Sequence, residues 1–329
     1  MKARCVQFET FGRPQDVLNI NDKKIDTLQK NEVLVRMLAR PINPSDLIPI
    51  TGAYAHRIAL PNIPGYEGVG VVEAVGSSVS KELIGQRVLP LRGEGTWQTY
   101  VKTPVDFAIP IPDSIDDWTA AQMYINPITA WVICTETLHL TSNDVLLVNA
   151  CGSAIGRILA QLSRVIGFQL IAVTRNDLYT KALLQLGASH VIDTSKDSVY
   201  EQVMDITNGA GANAAIDSIG GQAGNNLALS VQPGGRFLTI GLLSGEQVNW
   251  ELITKQANVK ANIFHLRHWN RRVSVDEWKA AFNQIISLIE HKKLRLMEQY
   301  TSFPLEQVVE AIDALEKSKA GEGKIFLTS

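Results

Sequence analysis

The sequence predicts an α/β fold in which a doubly wound parallel sheet is inserted into a second, mostly β unit. Three observations support this prediction. The 329 residues exceed what one ordinary hydrophobic core accommodates. Roughly the first hundred residues contain short apolar runs broken by Gly and Pro, which is typical of β structure. Strand-like and helix-like segments then alternate, and the chain closes on another strand-like run.

Four β-rich segments make up the first part of the chain. Each contains closely spaced apolar residues and is bounded by Gly, Pro or polar turn residues. The segments are EVLVRMLA (32–39), GVGVVEAVG (68–76), GQRVLPL (85–91) and TWQTYVKTP (96–104). Short strands of this kind predict a compact β unit of the barrel or roll type.

The middle of the chain has the pattern of a parallel sheet. Residues 118–138 have helical spacing, with an interruption expected at Pro127. Six strand-like segments follow, separated by helical segments or other crossovers, with one helix predicted to extend to Val231. The strand-like segments are VLLVNA (145–150), QLIAVTR (169–175), HVID (190–193), AAIDSIG (214–220), GRFLTIG (235–241) and VKANIFHL (259–266). This alternation indicates a doubly wound sheet.

The C-terminal part is assigned to the same unit as the N-terminal part. Two further helices are predicted after Asp276, and the strand-like segment GKIFLTS (323–329) follows them. We expect this strand to return to the β unit. The predicted domains are therefore residues 1–120 with 275–329, and residues 121–274.

Composition excludes several classes of function. A net charge of -2, with 45% hydrophobic and 19% charged residues, is ordinary for a soluble globular protein and predicts no nucleic acid or membrane partner. Cys5, Cys134 and Cys151 are far apart, so no disulfide framework or four-cysteine zinc site is expected. No apolar run reaches about 18 residues, and no signal peptide is evident. The expected location is the cytoplasm.

A glycine-containing loop joins the first strand of the parallel sheet to its first helix. Glycines there let backbone amides approach a pyrophosphate, and the helix N-terminus adds the positive end of a dipole. The G-x-G-x-x-G fingerprint is imperfect because its first position is Asn or Ala. A tight turn without ligand is the alternative. The predicted cofactor-binding residues of this loop are Asn149, Gly152, Ser153, Ala154, Ile155 and Gly156.

The end of the second strand predicts which dinucleotide binds. An NAD enzyme places Asp or Glu about 20 residues beyond the glycines, where it binds the ribose hydroxyl. This chain has Thr174 and Arg175 there, and a guanidinium favours a 2′-phosphate. We therefore expect NADPH, with Gly241 also at the cofactor. The alternative for Arg175 is a solvated surface charge.

Ordered motifs along nearly the whole chain resemble the medium-chain dehydrogenase/reductase family. The chain is most similar to the zinc-independent quinone oxidoreductase group, and within it to mitochondrial-type 2-enoyl thioester reductases. The resemblance implies a Rossmann sheet inserted into a GroES-like catalytic domain. The matching motifs are INPSD (42–46), GAY (52–54), PGYEGVG (64–70), GTW (95–97), NPITA (126–130), the glycine loop, LGA (186–188) and GKI (323–325).

The residues that bind catalytic zinc in the relatives are missing. Zinc relatives have Cys where Asn43-Pro44 stands and His where Tyr66 precedes Glu67. Catalytic zinc needs three protein ligands, and Glu67 alone does not make a site. We expect Glu67 to hold a loop, and we predict no metal. Oxidation of an alcohol with help from a Lewis acid is therefore not expected.

Without zinc, hydride can still pass from NADPH to an electron-poor acceptor. Reduction of an enoyl thioester develops an enolate, which needs a hydrogen-bond donor and then a proton. Tyr54 matches the family's catalytic tyrosine, and the resemblance implies that it is the donor. A half-buried aromatic residue whose hydroxyl binds backbone is the alternative. The following residues, AHRIALPNIPG (55–65), lack the proline that the family usually has soon after this tyrosine.

The resemblance implies four further site residues, and three of them have an alternative. Asn43 would position the nicotinamide or a hydroxyl, or it caps a turn before Pro44. Trp269 would wall an acyl pocket, or it belongs to the core. Thr129 would lie beside the nicotinamide. Lys324 would approach the NADPH phosphates, or it is a solvated end.

The sequence thus predicts a zinc-free, NADPH-dependent reductase of α,β-unsaturated carbonyl compounds, with trans-2-enoyl thioesters as first choice. A CoA- or carrier-protein-linked thioester is one partner, and Arg267, Arg271 and Arg272 could bind its phosphates, unless they form a solvated face. A homodimer through the sixth strand is expected by analogy. The alternatives are an NADPH:quinone reductase and an NADPH-binding protein without significant turnover.

Overall fold

The computed structural model describes residues 2–318 and 323–329. They form two compact units, residues 2–125 with 274–318 and 323–329 (the discontinuous unit) and residues 126–273 (the continuous unit). The predicted boundaries, 120/121 and 274/275, differ from these by five residues and by one.

Fifteen strands occur in the described part of the chain. They are β1 (Lys2–Phe8), β2 (Leu18–Lys24), β3 (Glu32–Pro41), β4 (Val69–Val75), β5 (Arg87–Pro90), β6 (Tyr100–Pro104), β7 (Ala108–Pro110), β8 (Val145–Val148), β9 (Gln169–Thr174), β10 (His190–Asp193), β11 (Ala212–Asp217), β12 (Val231–Thr239), β13 (Lys260–Ile263), β14 (Tyr300–Pro304) and β15 (Lys324–Thr328).

Eleven α-helices connect or flank these strands within the described residues. They are α1 (Pro14–Val17), α2 (Pro44–Leu47), α3 (Asp117–Ala121), α4 (Ile125–Val132), α5 (Ala154–Ile166), α6 (Thr180–Leu186), α7 (Val199–Ile206), α8 (Gly221–Leu229), α9 (Leu266–Arg272), α10 (Val275–Glu290) and α11 (Val308–Lys317). None of the helices in residues 2–318 and 323–329 has the length and apolar character required to cross a membrane.

The discontinuous unit is mostly β. A hairpin of β1 and β2 accompanies a sheet in the order β14-β15-β3-β4-β5-β7, with β6 also paired to β3. Strand β15 is antiparallel to β3 and parallel to β14, so the C-terminal segment lies within the sheet formed by the N-terminal part. A buried apolar cluster contains residues from both ends of the chain, such as Val6, Trp97, Ile312 and Leu327. The expectation that the last strand returns to the β unit is confirmed.

The continuous unit contains a six-stranded parallel sheet in the order β10-β9-β8-β11-β12-β13. Numbered within the unit, this is the order 3-2-1-4-5-6 of a dinucleotide-binding fold. The order reverses between β8 and β11, and the carboxyl ends of the strands meet there at one edge. Helices α5 and α7 and the other crossovers carry the apolar faces that cover the sheet. The predicted fold class is confirmed.

Three details of the predicted elements are wrong. The helical segment 118–138 is interrupted at residues 122–124, not at Pro127, which lies in the first turn of α4. Proline is tolerated there because first-turn N–H groups have no partner within the helix. Val231 begins β12 instead of ending a helix, and the sixth strand stops at Ile263, after which α9 starts at Leu266.

Candidate active site

The glycine loop lies at the carboxyl edge of the parallel sheet, between β8 and α5. Ser153 caps the helix, and its hydroxyl accepts the N–H of Gly156 at 3.4 Å. Ala154 and Ile155 form the first turn, whose N–H groups have no partners within the helix. A helix of 13 residues with this N-terminus is suited to a pyrophosphate.

Close packing explains the two glycines of the loop. A Cβ at Gly156 would lie 2.5 Å from the Cα of Cys151, and one at Gly152 would lie 2.5 Å from the Tyr179 ring. Ala150 has a left-handed φ of +50°, a conformation in which glycine is usual. The loop therefore has the tight turn of a dinucleotide-binding loop, although its first glycine is replaced by a residue with a side chain. The residues present fit a dinucleotide at this edge.

Asn149 connects the two strands at which the sheet order reverses. Its amide donates to the Asp217 carboxylate at 2.5 Å, and its amide oxygen accepts the N–H of Ser218 at 2.8 Å. Asp217 also accepts the N–H groups of Ile219 and Gly220. The side chain of Asn149 thus holds the loop after β11 next to the glycine loop. Its predicted contact with a cofactor stays a prediction.

The end of β9 presents a free cation. Thr174 is nearly buried, and its hydroxyl donates to the carbonyl of Asn176 at 2.8 Å. Arg175 is exposed and forms no ion pair with any described residue. The nearby Asp177 is paired with Lys196 at 2.8 Å. Within this loop, the guanidinium is therefore available to an anionic ligand, whereas the carboxylate is already occupied.

The other predicted residues of the continuous unit occupy different environments. Gly241 follows β12, where a Cβ would lie 2.9 Å from the carbonyl oxygen of Ser218. Thr129 lies in α4 and is 9% exposed. Trp269 lies in α9 at 3% exposure, and its indole N–H donates to Glu136 at 2.7 Å. Their roles toward a ligand remain predictions.

A cavity of about 510 Å³ lies at the carboxyl ends of β12 and β13. Its lining is mixed in character, with two imidazoles, one guanidinium, one amide, one hydroxyl and three apolar side chains. The lining residues are Thr137, Leu238, Asn262, Ile263, Phe264, His265, His268 and Arg272. Of the three arginines predicted to bind phosphates, Arg272 is the one in this lining.

Asn43 lies in the discontinuous unit, directly before α2. Its amide N–H donates to Glu67 at 2.7 Å, and its amide oxygen accepts from the ammonium of Lys324 at 2.5 Å. Asn43, Glu67 and Lys324 are 2%, 1% and 8% exposed. The ammonium of Lys324 is therefore engaged inside this unit, and its contact with NADPH phosphates remains a prediction.

Two carboxyl groups complete this buried network. Asp46 accepts the N–H groups of Asn43 at 2.7 Å and Tyr66 at 3.1 Å. Glu67 accepts the N–H groups of Tyr124 at 3.1 Å and Ile125 at 2.8 Å, and so holds the last residues of the first segment of this unit. This is the loop-holding role expected for Glu67.

Burial dominates the protonation of the network. It raises the pKa of the Asp46 carboxyl to about 7, against the opposing effects of the Asn43 and Tyr66 N–H groups and of Lys324. Burial also raises the pKa of Glu67 and lowers the pKa of Lys324, and the attraction between these two groups opposes both shifts. Because two carboxyl groups share one ammonium, protonation of one carboxyl leaves the cluster without net charge.

The donor set for zinc is missing at this place. Asn43, at a position where the resemblance implies a ligand in the zinc relatives, binds Lys324 and Glu67. No group of three His, Cys, Asp or Glu side chains suited to a metal ion occurs in residues 2–318 and 323–329.

Tyr54 lies in the discontinuous unit, immediately before a 3₁₀ turn at Ala55–Arg57. Its ring is half-buried, and the guanidinium of Arg57 lies 3.7 Å from the ring centroid. In the described part of the chain, the Tyr54 hydroxyl has no hydrogen-bond partner. The phenol is therefore free to donate to a ligand, and a bond from it to local backbone is not observed.

Sequence reasoning missed two residues. Asp217 could have been found from its position at the end of a buried strand, where parallel strands converge. Arg57 could have been found from its position three residues after Tyr54, but only if a 3₁₀ turn had been predicted there.

Two protein families match segments of this chain, and both agree with its architecture. Residues 29–113 match the alcohol dehydrogenase GroES-like domain, and residues 154–287 match the zinc-binding dehydrogenase family. The second name includes zinc, although the ligand positions in this chain hold other residues.

Individual relatives fall into two groups by name. The mitochondrial enoyl-[acyl-carrier-protein] reductase of Rattus norvegicus is 30% identical over 323 residues, covering 96% of this chain and 86% of the relative. A crystal structure from Bacillus thuringiensis, provisionally named an NADPH:quinone reductase, is 64% identical with a TM-score of 0.98, covering 100% of this chain and 99% of that one. The complex of Etr1p with NADP and crotonyl-CoA is 26% identical with a TM-score of 0.86 and full coverage of both chains. A further similar structure is that of the mitochondrial 2-enoyl thioester reductase Etr1p/Etr2p from Candida tropicalis.

A parallel dinucleotide-binding sheet inserted into a GroES-like β unit defines a class of two-domain oxidoreductases. The chain belongs to the medium-chain dehydrogenase/reductase family, in its zinc-independent quinone oxidoreductase group.

Proposed function

We propose that the protein is an NADPH-dependent reductase of α,β-unsaturated carbonyl compounds, with trans-2-enoyl thioesters as its preferred substrates. The observation that carries this proposal is the half-buried Tyr54 phenol, whose hydroxyl has no hydrogen-bond partner within the described residues. A neutral donor of this kind suits an enolate that develops during reduction and then needs a proton. The relatives named as enoyl reductases, which match nearly the whole chain, support the same choice.

NADPH is the proposed cofactor. The N-terminus of α5 with Ser153 and Gly156 would bind the pyrophosphate, and Arg175 would bind the 2′-phosphate. The bound nicotinamide supplies the hydride. The similar structure of Etr1p contains bound NADP, which supports this assignment.

The residues of this chain would orient the reactants and supply the proton. Tyr54 donates a hydrogen bond to the carbonyl oxygen as negative charge develops, and then provides a proton for the α-carbon. Asn43 is held rigidly by Glu67 and Lys324, so any contact that it makes with nicotinamide or substrate is preorganised. No Lewis acid is required because the thioester already activates the double bond.

Quinone reduction is the second candidate. The relative with 64% identity is named for that activity, and identity at this level favours a shared substrate class. A quinone accepts the hydride, and water can solvate or protonate the quinone oxygens. Quinone reduction therefore depends less on the Tyr54 hydroxyl. The mixed lining of the cavity beside β13 is compatible with either acceptor.

The deciding experiment measures NADPH oxidation with enoyl thioesters of several chain lengths, on CoA and on a carrier protein, beside naphthoquinones and simple enones. Preferential turnover of a thioester is expected. Turnover of quinones alone would favour the second candidate, and binding of NADPH without turnover of any acceptor would contradict both.

The Tyr54→Phe variant tests the donor directly. Loss of the hydroxyl should lower kcat for enoyl reduction by about 10²- to 10⁴-fold, the usual contribution of a general acid, while quinone reduction is retained. Equal effects on both acceptors, or no effect on either, would contradict the role proposed for Tyr54.

A further inference from the structure

We propose that Arg57 is a positioning residue that orients the Tyr54 ring and stabilises the phenolate left when Tyr54 gives up its proton. This inference deepens the proposed function and rests on it. It concerns a residue that lies in the segment where the chain departs from its family's pattern, the stretch 55–65 without an early proline.

Local backbone geometry brings the two side chains together. The N–H of Arg57 donates to the carbonyl of Tyr54 at 3.0 Å, which closes the 3₁₀ turn. In such a turn, side chains at positions i and i+3 eclipse one another. Arg57 is thus placed over Tyr54 by three residues of backbone, and its guanidinium carbon lies 3.7 Å from the ring centroid. A guanidinium stacked on the face of an aromatic ring is an attractive arrangement.

The charge of Arg57 is not neutralised by another group. No carboxylate within the described residues forms an ion pair with it, and its buried Nε has no hydrogen-bond partner there. Both Arg57 and Tyr54 are half-buried, so water screens their interaction only in part. The guanidinium also acts on the neighbouring Tyr66, where it opposes the rise in pKa that burial causes. Arg57 is therefore a cation that stacks on Tyr54 and whose charge also acts on Tyr66.

Arg57 would assist the protonation that follows hydride transfer. Bound NADPH would supply the hydride that forms a C–H bond at the β-carbon, and the electron pair of the C=C bond would pass to the enolate. The O–H bond of Tyr54 breaks, its proton goes to the α-carbon, and the electron pair stays on the Tyr54 oxygen. The adjacent guanidinium stabilises this phenolate until water reprotonates it. A cation held in place before the reaction also fixes the ring, so the hydroxyl keeps one direction.

The test combines single variants with a double variant. Steady-state kinetics with NADPH and crotonyl-CoA are measured for the wild type, Arg57→Ala, Arg57→Lys, Tyr54→Phe and the double variant Tyr54→Phe/Arg57→Ala. Arg57→Ala should lower kcat about tenfold, in the range expected for losing a partly buried cation–π pair, with the KM for NADPH unchanged. Arg57→Lys should restore a large part of kcat, and the double variant should be no slower than Tyr54→Phe alone.

A solvent isotope effect separates positioning from mere folding support. If proton donation becomes slower in Arg57→Ala, the effect of D₂O on kcat should increase relative to the wild type. A residue that only stabilises the loop would change the melting temperature and leave this ratio unaltered. The matched control is His56→Ala, an exposed neighbour in the same turn, which should leave both kcat and the isotope effect unchanged.

Failure of this inference differs from failure of the proposed function. If Tyr54→Phe is impaired but Arg57→Ala keeps wild-type kcat, or slows the Tyr54→Phe background by the same factor as the wild type, the role of Arg57 is wrong while Tyr54 keeps its role. If Tyr54→Phe reduces crotonyl-CoA normally, or the wild type reduces no enoyl thioester of the series, both proposals are overturned.

Discussion

Asp46 is a carboxyl group 1% exposed, with a pKa raised by burial to about 7. An unfolded aspartate has a pKa near 3.9, so the folded state binds more protons between about pH 4 and pH 7. Stability contributed by this site is therefore present at low pH and is lost as the pH rises toward 7.

The direction of this pH dependence of stability can be tested with Asp46→Asn, which removes the titrating group. Between pH 5 and pH 8, the free energy of unfolding of the wild type should fall relative to the variant by on the order of 2 kcal/mol. Urea unfolding at the two pH values provides the measurement, with the exposed Asp26→Asn as a control that shows no such change. A difference between wild type and Asp46→Asn that is constant with pH would contradict the shift.

Ala150 adopts a φ of +50° in the glycine loop. A left-handed conformation costs a residue with a Cβ about 1 kcal/mol relative to glycine. Ala150→Gly should therefore raise the melting temperature by a few degrees, measured by calorimetry. Ala160→Gly, in the interior of α5, should lower it, because glycine weakens a helix. Destabilisation by both substitutions would show that Ala150 is not strained.

Single residues differ in how far the sequence predicts them. Tyr54 and Arg175 could be singled out because each occupies a defined place in a motif, and their roles stay predictions. The stacking of Arg57 on Tyr54 could not, since it depends on a 3₁₀ turn that no periodicity announces. The bond of Lys324 to Asn43 joins positions 281 residues apart, so no local pattern contains it.

At the scale of elements, we expect the junction after β9 to set the cofactor preference. Arg175 is exposed and unpaired there, whereas the carboxylate of Asp177 is paired with Lys196. Arg175→Ala should raise the KM for NADPH by about 10- to 100-fold, as expected for the loss of hydrogen bonds to a charged group, and should leave the KM for NADH nearly unchanged. Parallel titrations with both cofactors measure this difference.

The matched control for that prediction is Lys181→Ala, an exposed cation in α6, which should alter neither KM. An equal rise in the KM for NADPH and NADH in Arg175→Ala would mean that the guanidinium does not recognise the 2′-phosphate.

Elements with a strong local pattern were predictable, and those that depend on neighbours were not. The six strands of the parallel sheet follow from buried apolar runs separated by helical segments. The hairpin of β1 and β2 was missed, because β2 (LNINDKK) has mostly polar residues and gains its partner from β1. The end of β13 was also misplaced, because the apolar run continues past Ile263 into the turn before α9.

At the scale of the whole molecule, the insertion of one unit into another was predictable from the order of patterns along the chain. A β-rich part, an alternating part and a final strand-like segment leave few arrangements in which each apolar face is covered. The substrate could not be predicted in this way, because it depends on the chemistry of particular side chains and not on the fold.

Strand β15 has a consequence for biosynthesis. It lies between β14 and β3 and carries Lys324, whose partner Asn43 leaves the ribosome 281 positions earlier. At usual translation speeds, about 15 to 60 s separate the two residues. The continuous unit can thus fold on the nascent chain first, while a buried carboxylate, Glu67, waits for its ammonium. During that interval the incomplete β unit exposes an open edge at the end of β3, residues 39–41, and this is the stage at which chaperone protection would matter most.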